Sequence, residues 1–232
     1  MIYIGVDPGL TGAMAIVCSD RGLLTIMDQP TLVLEKRGKT RRVSDVAAMV
    51  QIVRSVKTGY VNHRRLWVLE EPQPMPKFGG TANFSLGWST ALWVGLLTYA
   101  AEPLIRVNPI TWKAKILPRI KGKAAARLYA MQRYPEFGDE LKLVKHDGRG
   151  DAVAIAEYGR FVEREAPIFV QGAARGPQPS ASADEKAPFE VGAPNGERNP
   201  ELPAMAREYV LRNLDGKPAD WSSKWNLLLR QR

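Results

Sequence analysis

Residues 66–69 read Leu-Trp-Val-Leu, apolar at every position, and the run stops at once in Glu70-Glu71-Pro72. A strand that is apolar on both faces has to be covered on both faces, which calls for a layered α/β domain and not for a one-sided antiparallel sheet. The neighbouring segments supply the other layers. Ile2, Ile4 and Val6 alternate with Tyr3 and Gly5 and end at Asp7-Pro8-Gly9. Residues 13–17 and 23–27 predict two more strands, separated by a turn at Asp20-Arg21-Gly22. Such short connections give an antiparallel meander. Residues 104–107 predict a fifth strand. Apolar residues at helical spacing predict helices over 44–56, with Ser44 as N-cap, and over 84–100. Further helices are expected over 121–133, which is basic, and over 151–163. Residues 36–42 read as a basic loop and 71–83, with three prolines and two glycines, as another. The expected architecture is a mixed five-stranded sheet with helices on both faces, occupying residues 1–165.

The chain divides by composition. Ten of residues 166–200 are Pro or Gly, which predicts a linker. Residues 201–232 hold two short amphipathic stretches, around Leu202–Val210 and Trp221–Leu229, which predict a helical tail. With 45% hydrophobic and 25% charged residues, wholesale disorder is excluded for the 232-residue chain. No apolar run is long enough to span a membrane, and the opening residues lack a secretory signal pattern. A cytoplasmic protein, bacterial or of a phage-infected cell, is expected, with no membrane partner and no organic cofactor. One cysteine, Cys18, excludes a disulfide within the chain and any multi-cysteine zinc site.

Charge points to a polyanion. The net charge is +9, and +8 of it lies in residues 1–165. Between Glu102 and Glu136 there is no acidic residue but eight basic ones: Arg106, Lys113, Lys115, Arg119, Lys121, Lys123, Arg127 and Arg133.

Against this basic surface stand a few acids at the ends of expected core elements. Asp7 ends the first strand, Glu70 the fourth, Asp147 precedes the last helix and Asp151 opens it. Strands one and four are expected side by side, so their ends would meet beneath that helix. A carboxylate at a buried strand end needs a partner. With only carboxylates in supply, the partner that fits is magnesium, with manganese as substitute. Three or four convergent carboxylates can hold two such ions ~4 Å apart, the arrangement used to hydrolyse phosphodiesters. Read singly, each acid also suits an ordinary turn or helix start.

The ordered motifs resemble those of RuvC-type Holliday junction resolvases in the RNase H-like superfamily, and most of all its phage-type members. The matching stretches are Ile4-Gly5-Val6-Asp7-Pro8-Gly9, Val68-Leu69-Glu70, Phe84-Ser85-Leu86-Gly87, Val107-Asn108-Pro109 with Trp112-Lys113, and His146 to Ala156. The resemblance runs over residues 1–163. It implies a homodimer that binds a four-way DNA junction and nicks two strands. By that resemblance Asp7, Glu70, Asp147 and Asp151 are the catalytic metal ligands, holding two ions per site. Glu71 stands as an alternative to Glu70, and His146 to Asp147. Lys113, Lys121 and Lys123 would contact phosphates, within the basic set that includes Lys115, Arg119 and Arg127. Phe78, in the proline-rich loop, would stack on an unpaired base. Helix 84–100 is a candidate dimer contact.

Three other readings start from the same residues. An actin-like kinase also places Asp and Gly after its first strand, but the second phosphate motif is missing and 165 residues do not make two lobes. A branched-DNA binding protein without catalysis would keep the basic face and need none of the acids. Another RNase H-like nuclease with a different substrate would need the same acids.

Overall fold

The computed structural model of the chain describes residues 1–165 other than 37, 75, 77, 78, 118, 119 and 121. The expected linker at 166–200, the expected tail at 201–232, Phe78, Arg119 and Lys121 therefore lie outside the described residues. Strands β1 (Ile2–Val6), β2 (Ala13–Cys18) and β3 (Gly22–Asp28) form the antiparallel meander. β4 (Thr31–Lys36) and β5 (Lys39–Ser44) follow, then helix α1 (Val46–Gly59) and β6 (Arg65–Glu70). After α2 (Gly79–Tyr99) come β7 (Leu104–Val107), α3 (Pro109–Ile116), α4 (Ala125–Arg133), the single turn α5 (Gly138–Leu141) and α6 (Asp147–Glu165). The five-stranded sheet has the order β3-β2-β1-β6-β7, with β6 parallel to both β1 and β7. This mixed sheet is the arrangement the resemblance implies.

Side-chain alternation explains the layers. Tyr3, Ala15, Val17, Leu66 and Val68 face one side and join a core with Val153, Ala156 and Ala130 of α6 and α4. Ile2, Ile4, Val6, Trp67 and Leu69 face the other side and are fully buried. There α1 contributes Met49, Ile52, Val53 and Val56, and α2 contributes Trp93, whose ring stands 6.1 Å from that of Trp67. Helix α6 lies almost on the backbone of β1. A methyl group on Gly5 would overlap the carbonyl oxygen of Ala152 and the amide of Ala156. Only glycine at that position allows the helix so close. At the opposite sheet end from Asp7, Arg65 holds buried Glu102 through two bonds of 2.9 and 3.1 Å, and Trp67 Nε1 donates to the same carboxylate. That carboxylate thereby receives the partners a buried charge requires.

Six local expectations are corrected. Residues 36 and 39–42 are strand and not loop: β4 and β5 form a separate two-stranded sheet, with Lys36 paired to Lys39 and Gly38 at φ +70°. Helix α1 is capped by Asp45, not Ser44, and the Asp45 carboxylate accepts from the Ala48 amide at 2.9 Å. Helix α2 begins at Gly79, five residues early, because the glycine pair continues into a helix and does not close a loop. Helix α3 was not expected; Asn108 caps it and Pro109 takes its first position, where a missing N–H costs nothing. Helix α4 begins only at Ala125, and α6 begins at Asp147, not Asp151.

Candidate active site

The register of β1 against β6 pairs Val6 with Leu69. One residue further on, Asp7 and Glu70 leave neighbouring parallel strands side by side, and alternation turns both toward α6. Parallel neighbours stand ~4.8 Å apart. Glu71 has the opposite parity and pairs with Arg106 instead. Of the two adjacent glutamates, Glu70 is therefore the one that faces the helix.

The turn after β1 fixes Asp7. Its Oδ1 accepts the Gly9 amide at 3.1 Å, and the Asp7 amide donates to Ala13 at 2.9 Å. Gly148, in the first turn of α6, packs against the carboxylate with no side chain of its own between them. Glu70 is held by Trp112, whose Nε1 donates to Oε2 at 2.8 Å. Trp112 is fully buried in α3. The unexpected helix thus serves the site: it carries both Trp112 and the exposed Lys113, whose Nζ lies 5.0 Å from the Trp112 ring.

Asp147 and Asp151 are four residues apart within α6 and share a face. Asp147 binds Arg127 Nε at 3.0 Å, and Arg127 also donates to the carbonyls of Leu141 and Lys142. His146 is buried in the turn before α6, and its Nδ1 has no partner among the described residues. Burial, then the nearby Arg149 and Lys145, lower its pKa; the one carboxylate acting on it is Asp28. Asp147, by contrast, acts on Asp151.

The carboxylates feel one another. Burial, then Glu70 and Asp151, raise the Asp7 pKa to about 7. Burial raises Asp151 to about 6, with Glu70 and Asp147 adding to the rise and Lys113 opposing it. Burial also raises Glu70, against the opposing pull of Trp112 and Lys113. Among the described residues, Lys113 is the lysine that acts on all three groups. Among the described residues, no three acidic, histidine or cysteine side chains close round a single point at ligating distance. The donor set is nonetheless all oxygen, and its mutual repulsion is what a hard divalent cation relieves.

This electrostatics has a measurable sign. Asp7 and Asp151 hold protons in the folded chain at pH values where the unfolded chain has lost them. Without divalent cation, their contribution to stability is whole below about pH 4. It is lost as pH rises through about 6 and about 7. The melting temperature of the metal-free protein should therefore drop more between pH 5 and 8 than that of Asp7→Asn. Magnesium should raise it at pH 8 and hardly at pH 5. Parallel pH profiles for the two proteins would refute the coupling.

Of the basic residues expected to meet DNA, Lys113, Lys115 and Lys123 are exposed. Arg127 is not free in the same way, since Asp147 and two carbonyls take up its guanidinium. Sequence reasoning missed three supporting contacts: Trp112 on Glu70, Arg127 on Asp147, and Arg149 on Asp28 through bonds of 2.5 and 2.7 Å. Trp112-Lys113 after an Asn-Pro helix start was the available signal for the first. The other two had none, because nothing in the local pattern round Arg127 or Arg149 marks which acid it meets.

No protein-family model matches the chain. It is 33% identical over 91 residues, 39% of its length, to the chloroplastic Holliday junction resolvase MOC1 of Chlamydomonas reinhardtii. The matched part spans about a tenth (10%) of that relative's length. Among solved structures, Thermus thermophilus RuvC in complex with a Holliday junction substrate is 18% identical, with a TM-score of 0.48, covering 72% of this chain and 96% of that one. A second T. thermophilus RuvC structure is 16% identical with a TM-score of 0.43, covering 72% and 97%. The chain is thus similar in part of its sequence to a Holliday junction resolvase, and its described residues form a mixed five-stranded sheet in the order β3-β2-β1-β6-β7 with helices on both faces.

Proposed function

We propose that the chain is a metal-dependent endonuclease that resolves four-way DNA junctions by paired nicks. The observation that carries this reading is Asp7 beside Glu70 at the carboxyl ends of β1 and β6, with Asp151 in the first turns of α6 acting on Asp7. The likeness to a relative named as a Holliday junction resolvase supports the junction as substrate. Asp7, Glu70, Asp151 and Asp147 would hold Mg²⁺ or Mn²⁺, two ions in one site. Bound there, such ions activate a water and stabilise the leaving 3′ oxygen.

The protein's own groups hold the ligands in place. The Gly9 amide orients Asp7, Trp112 orients Glu70, and Arg127 orients Asp147. Lys113 places a positive charge beside the carboxylates, where a scissile phosphate would sit. Exposed Lys113, Lys115 and Lys123 extend this field over the adjoining surface. Phosphate contacts of this kind position the DNA and do not read its sequence. Arg119, Lys121 and Phe78 join the proposal through the resemblance alone.

A homodimer fits the outward face of α2. Phe84 and Trp88 are exposed there with their rings 6.3 Å apart, and Trp88, Ala91, Leu92, Gly95 and Leu96 line an apolar groove. A second copy of the same helix would cover it. Sedimentation of Trp88→Glu as a monomer, against a dimeric parent, is the check; a parent that is itself monomeric would remove the dimer.

The function is tested with end-labelled four-way junction, linear duplex and RNA–DNA hybrid in magnesium. Paired nicks near the branch point of the junction alone are expected. Equal cutting of all three would keep the nuclease and discard the junction. Junction binding without any cut would leave only a binding protein.

A further inference from the structure

The hairpin β4–β5 has no place in the catalytic account, yet it rises from the catalytic end of the sheet. β3 runs antiparallel to β2 and β2 antiparallel to β1, so β3 ends where β1 ends. Asp28, the last residue of β3, lies opposite Ala13, whose carbonyl accepts the Asp7 amide. The hairpin starts three residues later, at Thr31.

Its root is rigid. Gln29 is buried, its amide donates to Gly12, its side chain donates to Ser89, and it accepts from Trp93 Nε1 at 3.0 Å. The Asp45 amide closes the root on Pro30 at 2.9 Å. The body beyond that root is open: Lys39, Thr40, Arg41 and Arg42 are all exposed. None of Lys39, Arg41 or Arg42 has a carboxylate partner among the described residues. The alternation of a strand puts Lys39 and Arg41 on one face of the ribbon and Arg42 on the other. Across from Arg42 stands Val33, 66% exposed.

We propose that this hairpin is a second DNA-contacting arm, which lies along a duplex arm leading away from the cleaved strand. The inference rests on the nuclease reading above and adds a surface to it. Three exposed cations stand against one exposed acid, Glu35 on the face of Arg42, and this excess suits an occupant that presents negative charge. A two-stranded ribbon fits the major groove, ~12 Å wide, where its two faces look toward the phosphates of the two strands. Strands of six residues reach about 20 Å, the length of about six base pairs, so the arm extends from the catalytic end along the flanking duplex.

The test measures junction affinity of the full chain in EDTA against salt concentration. The triple variant Lys39→Ala/Arg41→Ala/Arg42→Ala should bind at least tenfold more weakly in low salt. The slope of log affinity on log salt should shrink by about one unit for each phosphate that the arm no longer neutralises. Each single variant should remove about one unit by itself, which keeps the test valid if the triple variant is unstable. Arg64→Ala, before β6 at the far end of the sheet, should leave affinity and slope unchanged. Parent-like slopes in all the hairpin variants would overturn the arm while leaving the nuclease reading intact. An equal loss in Arg64→Ala would also overturn it, since only total charge would then matter. A parent chain that shows no salt-dependent junction binding would sink the nuclease reading itself, and the arm with it.

Discussion

Asp7→Asn should cut four-way junctions at least ~10³-fold more slowly than the parent, because several kcal/mol of metal-borne charge stabilisation is removed and each ~1.4 kcal/mol is tenfold in rate. The substitution keeps the shape of the side chain. An asparagine oxygen can still accept the Gly9 amide, so the turn after β1 is not disturbed. It also removes the buried charge that Glu70 and Asp151 repel at position 7, so the metal-free fold should melt higher at pH 8, not lower. Junction affinity should be equal to or slightly above the parent's, since one negative charge facing the phosphates is gone. The three readouts together separate a ligand from a residue that merely supports the fold. Parent-like cleavage would remove Asp7 from the site. Abolished cleavage together with reduced stability would make it structural.

Gly5→Ala should be the most damaging substitution in the core. The added methyl group meets backbone on both sides, the Ala152 carbonyl and the Ala156 amide, so no rotamer change can make room. Helix α6 would have to lift off β1, and overpacking of this kind costs ~3 kcal/mol or more. Because α6 carries Asp147 and Asp151, the shift would also move two carboxylates away from Asp7 and Glu70. Denaturant unfolding should show the loss of stability, and the residual folded protein should bind magnesium more weakly. Gly59→Ala, with open space round the added methyl group in the last turn of α1, should change stability by less than ~1 kcal/mol. Equal stability of the two variants would refute the close approach of α6.

Much of the candidate site was legible because its acids sit where local patterns stop. Ile2 to Val6 alternates and ends at Asp7; Leu66 to Leu69 is apolar throughout and ends at Glu70. Strand type and strand end depend on near neighbours, so they can be read residue by residue. The hairpin was less legible, since its charges hide a period-two pattern: Leu32 and Leu34 alternate with Val33 and Glu35, and half of β5 is basic. Helix α3 was hidden by its own start, for Asn108-Pro109 reads as a strand exit and also as a cap with proline in first position.

The sequence by itself determined the elements that hold Asp7 and Glu70, the exclusion of a multi-cysteine zinc site, and the basic bias of residues 1–165. The tertiary structure decided which acids meet. It set the β1–β6 register that places Asp7 beside Glu70, turned Glu71 away toward Arg106, and began α6 at Asp147. It also chose the partners, Trp112 for Glu70 from 42 residues away and Arg127 for Asp147 from 20. The reason is physical. Hydrophobic period is set by bonds along the chain, whereas register, helix rotation and long-range hydrogen bonds are set by how closely two elements can approach. Here that approach is governed by the bare backbone of Gly5 under α6.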